Sequence, residues 1–217
     1  MGRGRSRRKR ELQPGPFGLT LEDTPKPFTA RAVFGDEAPF ELEVGSGKGG
    51  FLLAESERRP DVRFLGVERA HKYWIYAADR LRRHARSNAR VILAEAEVFV
   101  REFLEDDSLA AVHIYFPDPW PKKRHHRRRL LKPDLVTSLA AKMRVGARLQ
   151  VATDHSAYFA VIRNAIELSG LAVVPFTAPS AAADGETAGT SFERKYRREG
   201  RTVFSIAAER KGRYRYS

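Results

Sequence analysis

The chain has 217 residues, 42% of them hydrophobic, no cysteine and a formal net charge of +13 at neutral pH. That size fits one α/β domain with extensions, and the apolar content suffices for a core. Disulfides, thiolate metal sites and cysteine nucleophiles are excluded, and no apolar run reaches the roughly 18 residues of a membrane span.

Residues 3–10 hold six Lys or Arg and no acid. No apolar stretch follows, so this is not a secretory leader, and a cytoplasmic protein is expected. Pro14, Pro16, Pro25 and Pro27 come next, and residues 1–30 read as a flexible basic arm preceding a single domain over 31–217. Strands and helices then alternate. Strands are expected at Phe40–Val44, Val62–Val67, Arg90–Leu93, Ala110–Phe116 and Arg148–Ala152. Helices are expected at Phe51–Arg58, 70–86, Val98–Leu104, Leu135–Met143 and Tyr158–Leu168. Leu171–Val174 and Thr202–Ala207 close the set with no clear helix between them, and residues 178–190 read as a flexible Ala/Gly/Ser loop. The pattern predicts a mostly parallel seven-stranded sheet with helices on both faces and an antiparallel last strand. Phe51, Trp74 and Phe99 are expected in the core.

In such sheets ligands bind beyond the carboxyl ends of the strands. Five successive strand ends carry a glycine-rich or polar feature: the loop Gly45–Gly50, Glu68, Glu95, Asp118, and Thr153–Asp154. Gly45, Gly47 and Gly50 satisfy G-x-G-x-x-G, and Glu68 stands about 20 residues on, where a ribose-binding acid belongs. A nicotinamide dehydrogenase fits that much. Glu43, two residues before the first glycine, argues against a pyrophosphate and for a cationic ligand such as S-adenosylmethionine. Glu68 would then accept from the ribose hydroxyls, and Glu95 either from an adenine amine or from nothing, as a surface acid.

The sharpest feature is Tyr115-Phe116-Pro117-Asp118-Pro119-Trp120-Pro121, which runs into Lys122-Lys123-Arg124-His125-His126-Arg127-Arg128-Arg129. Three prolines allow neither a helix nor a central strand, so one carboxylate is held in a stiff loop. Residues 122–129 hold six cations and no acid. Without these and the six at residues 3–10, 40 basic residues fall to 28 against 27 acids. Nearly all the excess charge therefore sits in two short runs, and the second has the form of a nucleic-acid footprint. His125 and His126 lie among cations without a cysteine nearby, which disfavours a metal site.

Glu43-Val44-Gly45-Ser46-Gly47-Lys48-Gly49, Gly66-Val67-Glu68, Phe116 to His125, Thr153-Asp154 and Thr190-Ser191-Phe192-Glu193 together resemble the bacterial tRNA (guanine-N7-)-methyltransferase family over residues 30–210. The resemblance implies a Rossmann-like class I methyltransferase fold, S-adenosyl-L-methionine as cofactor, and N7 of a variable-loop guanine in tRNA as the target. It implies Glu43, Glu68, Glu95 and Asp118 as cofactor positions, beside Gly45 and Gly47, with Asp118 also catalytic. It implies Lys122, Arg124, His125, His126, Arg127, Arg128, Arg129, Asp154, Thr190, Ser191, Phe192 and Glu193 as substrate positions. No metal and no membrane are implied, and the oligomer is a monomer or a homodimer. Glu95 stands where the family has Asp, and Tyr115 where Asn is expected. Two rivals remain: a methyltransferase for another nucleic-acid base, and a non-catalytic RNA-binding protein on the same scaffold. The split of Pro119 from Pro121 by Trp120 argues against enzymes acting on exocyclic amines.

Overall fold

The computed structural model describes residues 11–212, so the basic run at 3–10 lies outside the described residues. An eight-stranded sheet carries the fold. Its strands are β1 (Gly18–Thr20), β2 (Phe40–Val44), β3 (Arg63–Glu68), β4 (Ala89–Leu93), β5 (Leu109–Tyr115), β6 (Met143–Thr153), β7 (Ala172–Val174) and β8 (Phe204–Glu209). Their order is β1-β4-β3-β2-β5-β6-β8-β7. Neighbours from β1 to β6 pair in parallel, and β8 runs antiparallel to both β6 and β7. The helices are α1 (Ala30–Phe34), α2 (Gly50–Arg58), α3 (His71–Arg83), α4 (Ala96–Glu102), α5 (Pro133–Lys142), α6 (Ser156–Leu168) and α7 (Ser191–Arg198).

The strands fill two apolar layers. Phe40, Leu42 and Val44 of β2 join Phe99 of α4, Leu135 of α5 and Ile162 of α6 on one face. On the other, Phe51 and Leu52 of α2 and Trp74 and Leu81 of α3 pack on Phe64 and Val91. The Trp74 indole N–H donates to the Val91 carbonyl at 3.1 Å, which satisfies its one buried polar atom. The chain passes from β2 outward through β3 to β4, and from β5 outward in the opposite direction to β6. The ends of β2 and β5 thus meet at the topological switch point, where open α/β sheets bind ligands.

The sheet has one strand more than expected, and the extra one falls in the supposed arm. β1 pairs with β4 from Gly18↔Val91 to Thr20↔Leu93, and Phe28 is fully buried against Phe40 and Phe99. A flexible arm through residue 30 therefore does not describe this segment. A helix, α7, also lies between the last two strands.

Candidate active site

The loop after β2 is shaped by glycine. Gly45 and Gly47 have φ of +80° and +52°, and a Cβ built on either meets nothing within 4 Å. Side chains are disfavoured there by the backbone, and the space they would enter is open. Glu68, at the end of β3, pins this loop. Its carboxylate accepts from the Gly47 and Ala70 N–H groups, both at 2.8 Å. Each carboxylate oxygen retains a second acceptor site.

Glu43 lies behind the loop on β2, 5% exposed, with its Oε2 lacking any hydrogen-bond partner. Burial, then the nearby Glu68 carboxylate, push its pKa up to about 8. A buried carboxylate without a partner is costly to ionise, and a cation arriving at the loop would relieve that cost.

Glu43 shares its face of the sheet with a polar column. Strand alternation turns Glu41, Glu43, His113 and Tyr115 away from the apolar residues of β2 and β5. The Tyr115 hydroxyl pairs with His113 Nδ1 at 3.0 Å, and His113 Nε2 with Glu41 at 2.9 Å. Glu41 takes both arms of Arg59 at 2.8 and 2.7 Å. Burial opposes ionisation of Glu41, but the hydrogen bonds from His113 and Arg59 prevail and bring its pKa down to about 2. Arg59 also pairs with Glu55 at 2.9 Å, and Glu55 accepts from the Ser180 hydroxyl and the Ala181 N–H. The column thus ties the cofactor side of β5 to the 178–190 segment.

The loop after β5 is strained on both sides of its acid. Phe116 and Trp120 have φ of +53° and +42°, a region unfavourable for bulky residues. Between them Asp118 is exposed. Arg129, 7% exposed, donates its Nε–H to the Pro119 carbonyl at 2.8 Å and lies 4.9 Å over the Tyr158 ring. Tyr158 is itself fully buried, its hydroxyl accepting from the Leu131 N–H at 2.9 Å. Trp120 sits between the edge of His125 and the guanidinium of Arg128, 5.0 Å from its ring.

One cavity of about 580 Å³ joins these parts. Gly45, Gly47, Glu68 and Glu95 line one side, and Asp118, Trp120 and Arg128 the other.

A family model described as "Putative methyltransferase" matches residues 37–206. The chain is 38% identical over 197 residues to the tRNA (guanine-N(7)-)-methyltransferase of Rhodopirellula baltica, covering 86% of this chain and 72% of that one. The enzyme of the same name from Bordetella pertussis is 44% identical over 134 residues, spanning 62% of this chain and about half, 53%, of the relative. The chain belongs to the tRNA (guanine-N(7)-)-methyltransferase family. Among solved structures, one titled as an antibiotic-related methyltransferase superposes with a TM-score of 0.59 at 16% identity, over 82% of this chain and 91% of the other. At that identity the likeness shows the fold, which is the Rossmann-like class I methyltransferase fold expected.

Within this family framework the expected site residues separate into groups. Gly45, Gly47, Glu68, Glu95, Asp118, Arg128, Arg129 and Phe192 line the cavity. Glu43 lies behind its wall. Glu95 is exposed, with Arg69 at 3.8 Å. Lys122, Arg124, His125, His126 and Arg127 belong to the loop and short 3-10 segment beside the cavity mouth without lining it. Asp154 is turned to Arg201, at 2.8 Å.

Two of these residues have partners within the fold. Arg129, expected as an RNA contact, is withdrawn into the fold, where it holds the Asp118 loop. Glu193, expected at the substrate, is fully buried. Its carboxylate accepts from the N–H groups of Thr187, Ala188 and Gly189 at 2.6, 2.7 and 3.0 Å and pairs with Arg197 at 2.7 Å. Burial works to raise its pKa, but those hydrogen bonds win and hold it below the usual carboxylate value. Thr190 accepts from the Glu193 N–H at 3.1 Å and so caps α7. With Glu55 at one end and Glu193 at the other, the 178–190 segment is irregular but pinned. Lys72, Tyr73, Leu130 and Lys132, which also line the cavity, were not anticipated.

Proposed function

We propose that this chain transfers the methyl group of S-adenosyl-L-methionine to N7 of a variable-loop guanine in tRNA. The observation that carries this is the single cavity with the glycine loop and Glu68 on one side and Asp118, Trp120 and Arg128 on the other. The residues fit the cofactor. The open glycine loop admits its amino-acid portion, the unpartnered Glu43 oxygen answers its positive charge, and Glu68 and Glu95 answer its hydroxyls and adenine amine. S-adenosyl-L-methionine, when bound, supplies an electrophilic methyl on a sulfonium.

Guanine N7 already carries a lone pair, so no residue has to remove a proton. The chain's work is positioning, which contributes about 7–11 kcal/mol in favourable systems. Asp118 is assigned to the guanine, accepting from its N1–H and amino group. There it stabilises the positive charge the ring gains as N7 is methylated. The strained, Arg129-clamped loop holds that carboxylate still. Arg124, Arg127 and Arg128 are assigned to phosphates, contacts that position the RNA without reading its sequence. A cytoplasmic location goes with this activity. Among the described residues no helix is long and apolar enough to cross a membrane.

The test is incubation with methyl-labelled S-adenosylmethionine and an unmodified tRNA transcript, followed by chain cleavage selective for N7-methylguanine. Label incorporated without such cleavage refutes the choice of atom. No label in any tRNA leaves an RNA-binding protein on this scaffold.

A further inference from the structure

The first turns of α3 form a wall of the cavity that the motifs do not account for. Lys72 and Tyr73 line the cavity, and Tyr76 follows one turn along the same helix face. The two tyrosines are 36% and 37% exposed, whereas Trp74 and Ala78 on the opposite face are buried. An ammonium stands over each ring. Lys72 Nζ is 4.7 Å from the Tyr73 centroid, and Lys48 Nζ, from the glycine loop, 5.7 Å from that of Tyr76. The single acid of α3, Asp79, is buried and bound by Arg82 and Arg83, so no carboxylate of this helix neutralises Lys72. The opposite wall has the same composition, with the Arg128 guanidinium over Trp120. The cavity is flanked by aromatic–cation pairs on both sides.

We propose that this α3 face is a second RNA-binding wall, taking unpaired nucleotides adjacent to the target guanine. Tyr73 and Tyr76 stack on bases, and Lys48 and Lys72 take phosphates. Unpaired nucleotides are the fitting occupant because only they expose base faces to aromatic rings, whereas a helical stem offers phosphates and hydroxyls. Charge complementarity selects a polyanion over a protein surface. Gripping the RNA from both walls would also hold a splayed guanine over the cavity. The inference rests on the tRNA-methyltransferase reading above.

Two double variants test it, Tyr73→Ala/Tyr76→Ala and Lys48→Gln/Lys72→Gln. Each is titrated with an unmodified tRNA transcript at several salt concentrations and, separately, with S-adenosylmethionine by calorimetry. Loss of the tyrosines is expected to weaken tRNA binding about tenfold or more with an unchanged salt slope. Loss of the lysines is expected to reduce the slope of log K against log salt by about 0.7–0.9 for each phosphate no longer neutralised. Wild-type tRNA affinity and slope in both variants overturn the proposal. So does a loss of S-adenosylmethionine binding with tRNA affinity intact, which would make the face a cofactor wall. If the unaltered chain fails to bind tRNA, the functional reading falls as well, and that outcome is distinct from the other two.

Discussion

The Arg129 side chain donates to the Pro119 carbonyl at 2.8 Å from a buried position, directly tying the last cation of the basic run to the loop that presents Asp118. A single guanidinium thereby offsets part of the strain of two left-handed residues, Phe116 and Trp120, a conformation costing on the order of 1–3 kcal/mol each.

This relationship divides the basic run by role. Arg129→Lys keeps the charge but loses the guanidinium fork and its stacking on the Tyr158 ring. Turnover is expected to drop about 10- to 100-fold, as misplacement of a reacting group does, while the salt slope of tRNA binding stays unchanged. Arg124→Gln/Arg127→Gln is expected to do the reverse, weakening tRNA binding and flattening its slope with turnover at saturating tRNA largely kept. Steady-state kinetics and salt titrations on the two variants decide it; a flattened slope in Arg129→Lys would return that residue to the phosphate contacts.

Asp118→Asn preserves shape and removes the charge. If the carboxylate stabilises positive charge on the methylated guanine, turnover falls about 10²- to 10³-fold, with tRNA and S-adenosylmethionine affinities little changed. No new pH dependence is expected near neutrality, since nothing has to be deprotonated. Single-turnover methylation with saturating tRNA measures this, and near-wild-type turnover would remove Asp118 from the mechanism.

What could be read from the sequence was whatever local chemistry dictates. The glycine loop, the acids Glu68 and Glu95 and the proline-bound Asp118 are each defined by a few adjacent residues, and they line one cavity at the carboxyl ends of β2 to β5. What could not be read depends on distant partners. β1 is three residues among prolines, and only its pairing with β4 makes it a strand. Arg129 resembles its neighbours in sequence, and its burial follows from Tyr158, 29 positions away in the chain. α7 has five charged residues in eight and little apolar face, which hides it from any hydrophobic pattern. Its capping signature, Thr190-x-x-Glu193, was present and points to a structural Glu193. The alternation of Glu41 and Glu43 with apolar neighbours likewise marked a polar face on a buried strand.

Glu193 supplies a stability prediction. Its carboxylate organises three backbone N–H groups and Arg197 from a fully buried position. Glu193→Gln is expected to destabilise the fold by about 3 kcal/mol, because donors buried with it lose a charged acceptor. The folded pKa lies below the unfolded one, so the contribution is complete above the ordinary value of 4.5. It is lost as pH falls through the folded value. Urea midpoints of the two proteins should therefore converge in acid; a constant gap down to strongly acidic pH would refute the assignment.

Glu43 has the opposite sign. Its pKa is about 8 in the folded chain against 4.5 for an ordinary glutamate, so between those values the native state holds a proton the unfolded state has lost. Stability is full below about pH 4.5 and declines as pH rises toward 8, by about 1 kcal/mol per pH unit from this group alone. Glu43→Gln removes that slope, and urea midpoints from pH 5 to 8 measure the difference. The groups facing Glu43 are the Glu68 carboxylate, which opposes its ionisation, and Tyr115, whose own pKa Glu43 helps to raise. A cation at the glycine loop reverses the balance. S-adenosylmethionine binding at pH 7 is therefore expected to release up to one proton from Glu43. Calorimetry in buffers of different ionisation enthalpy reports that release, and it should vanish in Glu43→Gln. Equal proton release in both proteins would refute Glu43 as the source of the proton.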